Sequence, residues 1–103
     1  MPMSTLTSVE AEPKFTFEGI NHRLFIEGRG FDFRKLSIDS SGIAVLKLDD
    51  LEDRLYSLLD FEEPRVIYVV SRDGSEDLIL QGCRIKSIIG NECRLSYSKY
   101  QAG

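Results

Sequence analysis

The stretch LSIDSSGIAVL, residues 36–46, places Asp39, Ser40, Ser41 and Gly42 between two apolar runs. Read locally it is a tight connection between two strands. Asp and Ser hydrogen-bond nearby backbone, and Gly accepts φ > 0 without a steric penalty. On its C-terminal side IAVLKL (43–48) is apolar enough to form a strand. On its N-terminal side GFDFRKLSI (30–38) begins with Phe31 and Phe33 alternating with polar residues. That period of two marks a strand with one buried face.

The same pattern continues outward in both directions. Phe15 and Phe17 alternate with polar neighbours, and HRLFIEG (22–28) reads as a second short strand closed by a glycine turn over residues 27–30. The last third reads as a three-strand meander: RVIYVV (65–70), LILQGCRIK (78–86) and ECRLSYSKY (92–100), joined near residues 71–75 and at Gly90 and Asn91. For Cys83 and Ile85 to share a face with Cys93, Leu95 and Tyr97, strand parity calls for an odd-length loop at Gly90 and Asn91. Neither register then sets Cys83 opposite Cys93, and a disulfide needs Cα atoms within about 7 Å. Both cysteines are expected as small core residues.

One segment departs from this pattern. In DDLEDRLYSLLDF (49–61), Leu51, Leu55, Leu58 and Leu59 recur at helical spacing. Asp49 or Asp50 suits the first turn and Pro64 bars continuation. The expected fold is therefore mainly β, a six- to seven-stranded small antiparallel β-barrel with one short helix. Residues 1–13, without Lys or Arg, are expected as a flexible arm, and 14–103 as a single domain.

Composition narrows the function. A chain of 103 residues with net charge −4 lacks the clustered basic charge of a DNA- or RNA-backbone binder. No apolar run approaches the ~20 residues of a membrane-spanning helix, and the N-terminus lacks the layout of a secretion signal, so a cytoplasmic protein without membrane insertion is expected. His22 is the one histidine, and Cys83 and Cys93 lack metal-ligand spacing. The acidic run Asp49, Asp50, Glu52 and Asp53 lacks the pattern of a calcium loop. Neither a P-loop nor a nucleophile elbow is present. A non-enzymatic domain without metal or cofactor is expected. Arg29, Arg34 and Lys35 remain, and alternation sends Arg34 and Lys35 to opposite faces unless a bulge intervenes.

The string SIDSSGIAV resembles the loop of PilZ domains, bacterial β-barrels that are receptors for cyclic di-GMP. Their pattern is Asp or Asn, any residue, Ser, two residues, Gly, then an apolar strand. The resemblance covers roughly residues 14–100. Aligned on Gly42, Asp39 stands at the family's Ser position and Ser37 at its Asp/Asn position. A one-residue deletion instead restores Asp39 and Ser41 to the family's roles. The family's paired arginines, RxxxR before the barrel, have no counterpart, since no arginine precedes Arg23.

The resemblance implies a signalling module whose Lys14, Arg34, Ser37, Asp39, Ser41 and Gly42 hold cyclic di-GMP or a related cyclic dinucleotide and relay it to a protein partner. The alternative is a PilZ-like adaptor with a degenerate motif that binds no nucleotide and acts through protein contacts. A third reading is an unrelated small barrel in which DSSG is a turn. Asp39 separates these readings. In a turn it bonds local amides, whereas beside a phosphate it would repel.

Overall fold

The computed structural model describes residues 13–49 and 63–103. They form nine strands: β1 (Pro13–Glu18), β2 (His22–Ile26), β3 (Arg29–Phe31), β4 (Lys35–Asp39), β5 (Ile43–Lys47), β6 (Arg65–Ser71), β7 (Glu76–Ile89), β8 (Glu92–Ser96) and β9 (Lys99–Ala102). All ladders are antiparallel, in the order β1-β4-β5-β8-β7-β6-β2-β3, with β9 also on β7. The two ends of that order, β1 and β3, share no ladder, so the sheet is not closed by hydrogen bonds among the described residues. The helix expected over 49–61 lies outside the described residues, apart from Asp49.

Strand β7 organises the sheet. Its first half pairs with β6 and β9, and its second half with β8. The junction is Gly82 at φ +71°, a conformation that β-branched and bulky residues resist. There the antiparallel chain alongside also breaks, between β8 and β9. Ser98 spans the break, its amide donating to the Gln81 carbonyl at 2.8 Å and its hydroxyl to the same oxygen at 3.0 Å. Thus the segment expected as one strand over 92–100 becomes two.

The segment 30–38 divides for a related reason. Phe31 pairs with Leu24 of β2, whereas Leu36 pairs with Phe17 of β1 and Leu46 of β5. Phe31 and Phe33 are both buried, as their alternation requires, but the backbone changes partners between them and β4. The β2–β3 turn is correspondingly shorter than expected. Glu27 (φ 52°) and Gly28 (φ 78°) form it alone, with Arg29 and Gly30 already in β3.

The odd-length loop expected for the last hairpin is absent, although its apolar faces do align. Its turn has two residues, Gly90 and Asn91, with Ile89 opposite Glu92 and Ile88 opposite Cys93. A register shift between Ile85 and Ser87 then brings Ile85 opposite Leu95. The extra residue needed to align the apolar faces therefore sits in a β-bulge, not in the loop. Cys83 and Cys93 are buried free thiols. Burial pushes the thiol pKa of Cys83 up to about 12 and that of Cys93 up to about 11.

The inner face carries one continuous apolar core. Leu24, Ile26, Leu36, Ile38, Leu46, Ile67, Leu78, Leu80 and Leu95 are essentially inaccessible. Each such side chain contributes about 1.5–3 kcal/mol relative to exposure. At the margin, Phe15 of β1 meets Tyr100 of β9 with ring centroids 5.5 Å apart, and Tyr100 meets Tyr97 at 6.1 Å. These rings lie where the edges of β1 and β9 approach. Among the described residues no helix is long and apolar enough to cross a membrane.

Candidate functional site

The loop between β4 and β5 is closed by its own side chains. Oδ1 of Asp39 accepts hydrogen bonds from the Ser41 amide at 2.8 Å, the Ser41 hydroxyl at 2.6 Å and the Ile43 amide at 3.2 Å. Burial raises the Asp39 pKa. The Ser41 hydroxyl and the Ile43, Ser41 and Gly42 amides outweigh that effect and leave it below the usual 3.8. Gly42 has φ +96°, and its carbonyl accepts from the Tyr97 amide at 2.9 Å. The Tyr97 hydroxyl donates to the Asp39 carbonyl, so Tyr97 clamps both ends of the loop.

A second turn in the molecule repeats this chemistry. Between β6 and β7, Oδ1 of Asp73 accepts from the Ser75 amide at 3.0 Å and the Ser75 hydroxyl at 2.9 Å, and also from the Ser71 hydroxyl. The Ser71 hydroxyl and Ser75 donors hold its carboxyl down to about 2. Both loops are Asp-x-Ser, Asp39-Ser40-Ser41 and Asp73-Gly74-Ser75. In both, the carboxylate takes the amide and hydroxyl two residues on, the geometry of an Asx turn.

The expected ligand-binding residues do not converge. Asp39, Ser41 and Gly42 are together in the loop. Ser37, half-buried, shares a face of β4 with Asp39 and pairs with Val45 and Thr16. Lys14 lies in β1, and its side chain is not among those described. Arg34 precedes β4 and lines cavities at the opposite end of the hairpin. Four residue steps along β4 separate that end from the loop, roughly 13 Å at strand spacing. There Arg34 and Lys35 line the same cavity, contrary to the alternation argument, because Arg34 sits in a bend outside the strand.

Beside the loop is a shallow concavity of about 420 Å³ lined by Ser40, Ser41, Gly42, Tyr97, Ser98, Lys99 and Tyr100. The sequence reading passed over Tyr97, Lys99 and Tyr100, which lie more than fifty residues from Ser41. His22, the first residue of β2, is half-buried with Nε2 2.8 Å from Oδ2 of Asp77 and Nδ1 3.2 Å from the Glu18 carbonyl. That pair links β1, β2 and β7. Among the described residues, no group of three or more His, Cys, Asp or Glu is arranged to hold a metal ion.

No family model matches the chain, and neither curated proteins nor solved structures include a match to it.

Proposed function

We propose that this chain is a non-enzymatic, PilZ-like module that acts in the cytoplasm through contacts with a protein partner, and that its β4–β5 loop serves as structure, not as a nucleotide grip. In this reading the sheet curls into a small barrel. The approach of Phe15 on β1 to Tyr100 on β9 supports it, by drawing two sheet edges together.

The observation that carries the functional reading is the repetition of the Asp-x-Ser turn. Asp39 and Ser41 spend their hydrogen-bonding groups on each other, as Asp73 and Ser75 do in an ordinary hairpin turn. A cyclic dinucleotide would have to break these bonds and accept a carboxylate beside its phosphates. The cation that should offset that repulsion, Arg34, stands at the other end of the hairpin.

One observation favours a second reading, a cyclic di-GMP receptor. The concavity beside Ser41 offers two tyrosine rings and Lys99, groups suited to base stacking and phosphate contact. Calorimetric titration decides between the two. No heat with cyclic di-GMP at tens of micromolar protein and ligand is the expected result. Micromolar binding that is lost on Ser41→Ala and Lys99→Ala overturns the adaptor reading. Repeated native pull-downs that retain no partner would also count against it.

A further inference from the structure

The strongest concentration of unspent charge lies at the far end of the β4–β5 hairpin. A cavity of about 450 Å³ opens there, lined by Glu18, Arg34, Lys35, Lys47, Leu48, Ile89, Asn91 and Glu92. Register explains the clustering. Across the outer face, Glu18 pairs with Lys35, Lys35 with Lys47, Lys47 with Glu92, and Glu92 with Ile89, in one continuous row. The Arg34 amide donates to the Lys47 carbonyl at 2.8 Å, which fixes a third cation beside the two lysines.

The row is compensated at its ends, where Glu18 and Glu92 face the lysines, but not at its centre. Lys35 and Lys47 are direct cross-strand neighbours, and like charges so placed repel. Neither lysine nor Arg34 forms an ion pair within 4 Å of another described residue, while Glu92 is 3.7 Å from Arg94 instead. One wall is apolar. Leu48 is buried, but Ile89 is 72 % exposed, unusual for a large aliphatic side chain in a strand. The Leu48 amide donates to the Asn91 carbonyl at 2.9 Å, and Asn91 Nδ2 donates to the Asp49 carbonyl at 3.1 Å. The wall is therefore anchored from both sides.

We infer that this cavity binds a small phosphate monoester with an apolar body, its phosphate held by Arg34, Lys35 and Lys47 and its body laid on Leu48 and Ile89. Three cations suit a dianion, and the planar guanidinium of Arg34 matches phosphate in a bidentate bond. The volume is that of a small-molecule site. Glu18 and Glu92 line the same cavity opposite Lys35 and Lys47, and with a chain net charge of −4 they disfavour an extended polyanion such as nucleic acid. Binding removes the Lys35–Lys47 repulsion and stabilises the hairpin. The site is separate from the β4–β5 loop and does not depend on how that loop is read.

Phenyl phosphate is the probe, followed by calorimetry and thermal melting of the full chain at low and at physiological salt. Saturable binding is expected, together with a melting temperature that rises by several degrees when ligand is roughly tenfold above Kd. Inorganic phosphate should bind more weakly, because it leaves Ile89 uncovered. Arg34→Gln and Lys47→Gln should each weaken phenyl phosphate by about tenfold or more, while Ser41→Ala leaves it unchanged. Each of these variants is checked by circular dichroism for an unaltered fold at the assay temperature, and Ile89→Ser tests the apolar wall independently. Three results overturn the inference: no saturation at millimolar phenyl phosphate, affinity indifferent to Arg34→Gln and Lys47→Gln, or a serine-phosphorylated peptide binding tenfold tighter than phenyl phosphate. The last would assign the cavity to a modified protein.

Discussion

Replacing Asp39 with alanine tests whether the β4–β5 loop is held by its own carboxylate. The substitution removes one oxygen that accepts from two amides and a hydroxyl, at 2.8, 3.2 and 2.6 Å. The loop is partly exposed, so the released donors can turn to water. Each bond then contributes near the lower end of the usual 0.5–1.5 kcal/mol, not at the level of a buried charged pair. The loss should be about 1–2 kcal/mol, or roughly 5–10 °C in melting temperature for a domain of this size. Asp39→Asn keeps an accepting oxygen and should lose less than half as much.

The sign of the pH dependence follows from the depressed carboxyl. Burial pulls the Asp39 pKa up, but the Ser41 hydroxyl and the loop amides leave it below 3.8 in the folded protein. Its charge-dependent contribution is therefore complete above about pH 4 and is lost as pH falls through the lower folded value. Urea unfolding followed by circular dichroism should show Asp39→Asn less stable than the parent at about pH 7, with the gap narrowing at about pH 2.5. An Asp39→Ala protein as stable as the parent at neutral pH would refute the turn assignment. So would an Asp39→Asn gap that stays constant across that range.

Tyr97→Phe deletes the hydroxyl that clamps the Asp39 carbonyl and should cost about 1 kcal/mol in urea unfolding, without altering the ring contact to Tyr100. Gly82→Ala should destabilise more than Gly28→Ala. Both have positive φ, but a Cβ at Gly82 meets the Ser98 side chain whereas one at Gly28 meets nothing within 4 Å, so a smaller loss at Gly82 would contradict the β7 junction. Cys83 and Cys93, with thiols pushed up to about 12 and about 11, should react with a disulfide reagent at pH ~8 only as fast as the protein unfolds, and fully in urea. Rapid labelling of either cysteine in the native protein would place it outside the core.

Alternation was enough to locate most strands, because a sheet with one buried face writes its period into the sequence. Leu36 and Ile38, Leu78 and Leu80, and Cys93 and Leu95 are all buried as that period demands. Strand ends were harder to read because pairing partners set them. Nothing local to residues 30–38 says that Phe31 belongs to β2 and Leu36 to β1 and β5. The bulge between Ile85 and Ser87 was also invisible, since it corrects a parity that a longer loop could have corrected equally well. The loop itself was legible only in part: Asp, Ser and Gly suit a turn, but the same residues suit a ligand loop, and the match with Asp73-Gly74-Ser75 shows in the hydrogen bonds. Tyr97, which clamps that loop from 58 residues away, carried no local signal.

The two ends of the β4–β5 hairpin treat charge in opposite ways, and this difference says most about function. At the loop end the one carboxylate is satisfied by the amides and hydroxyl it closes upon, so its removal should be felt as lost stability. At the other end, register forces Lys35 against Lys47 and a backbone hydrogen bond adds Arg34, with none of the three in an ion pair within 4 Å of a described carboxylate. The outer steps of that row set Lys35 against Glu18 and Lys47 against Glu92, which favours the sheet, but its central step sets lysine against lysine, where neutral residues would pair without repulsion. Adjacent lysines and an arginine without a close ion pair, beside an exposed Ile89, are more economically explained by an anion that visits than by packing. The chemistry of this molecule is therefore better sought where β4 begins than in the glycine loop where it ends.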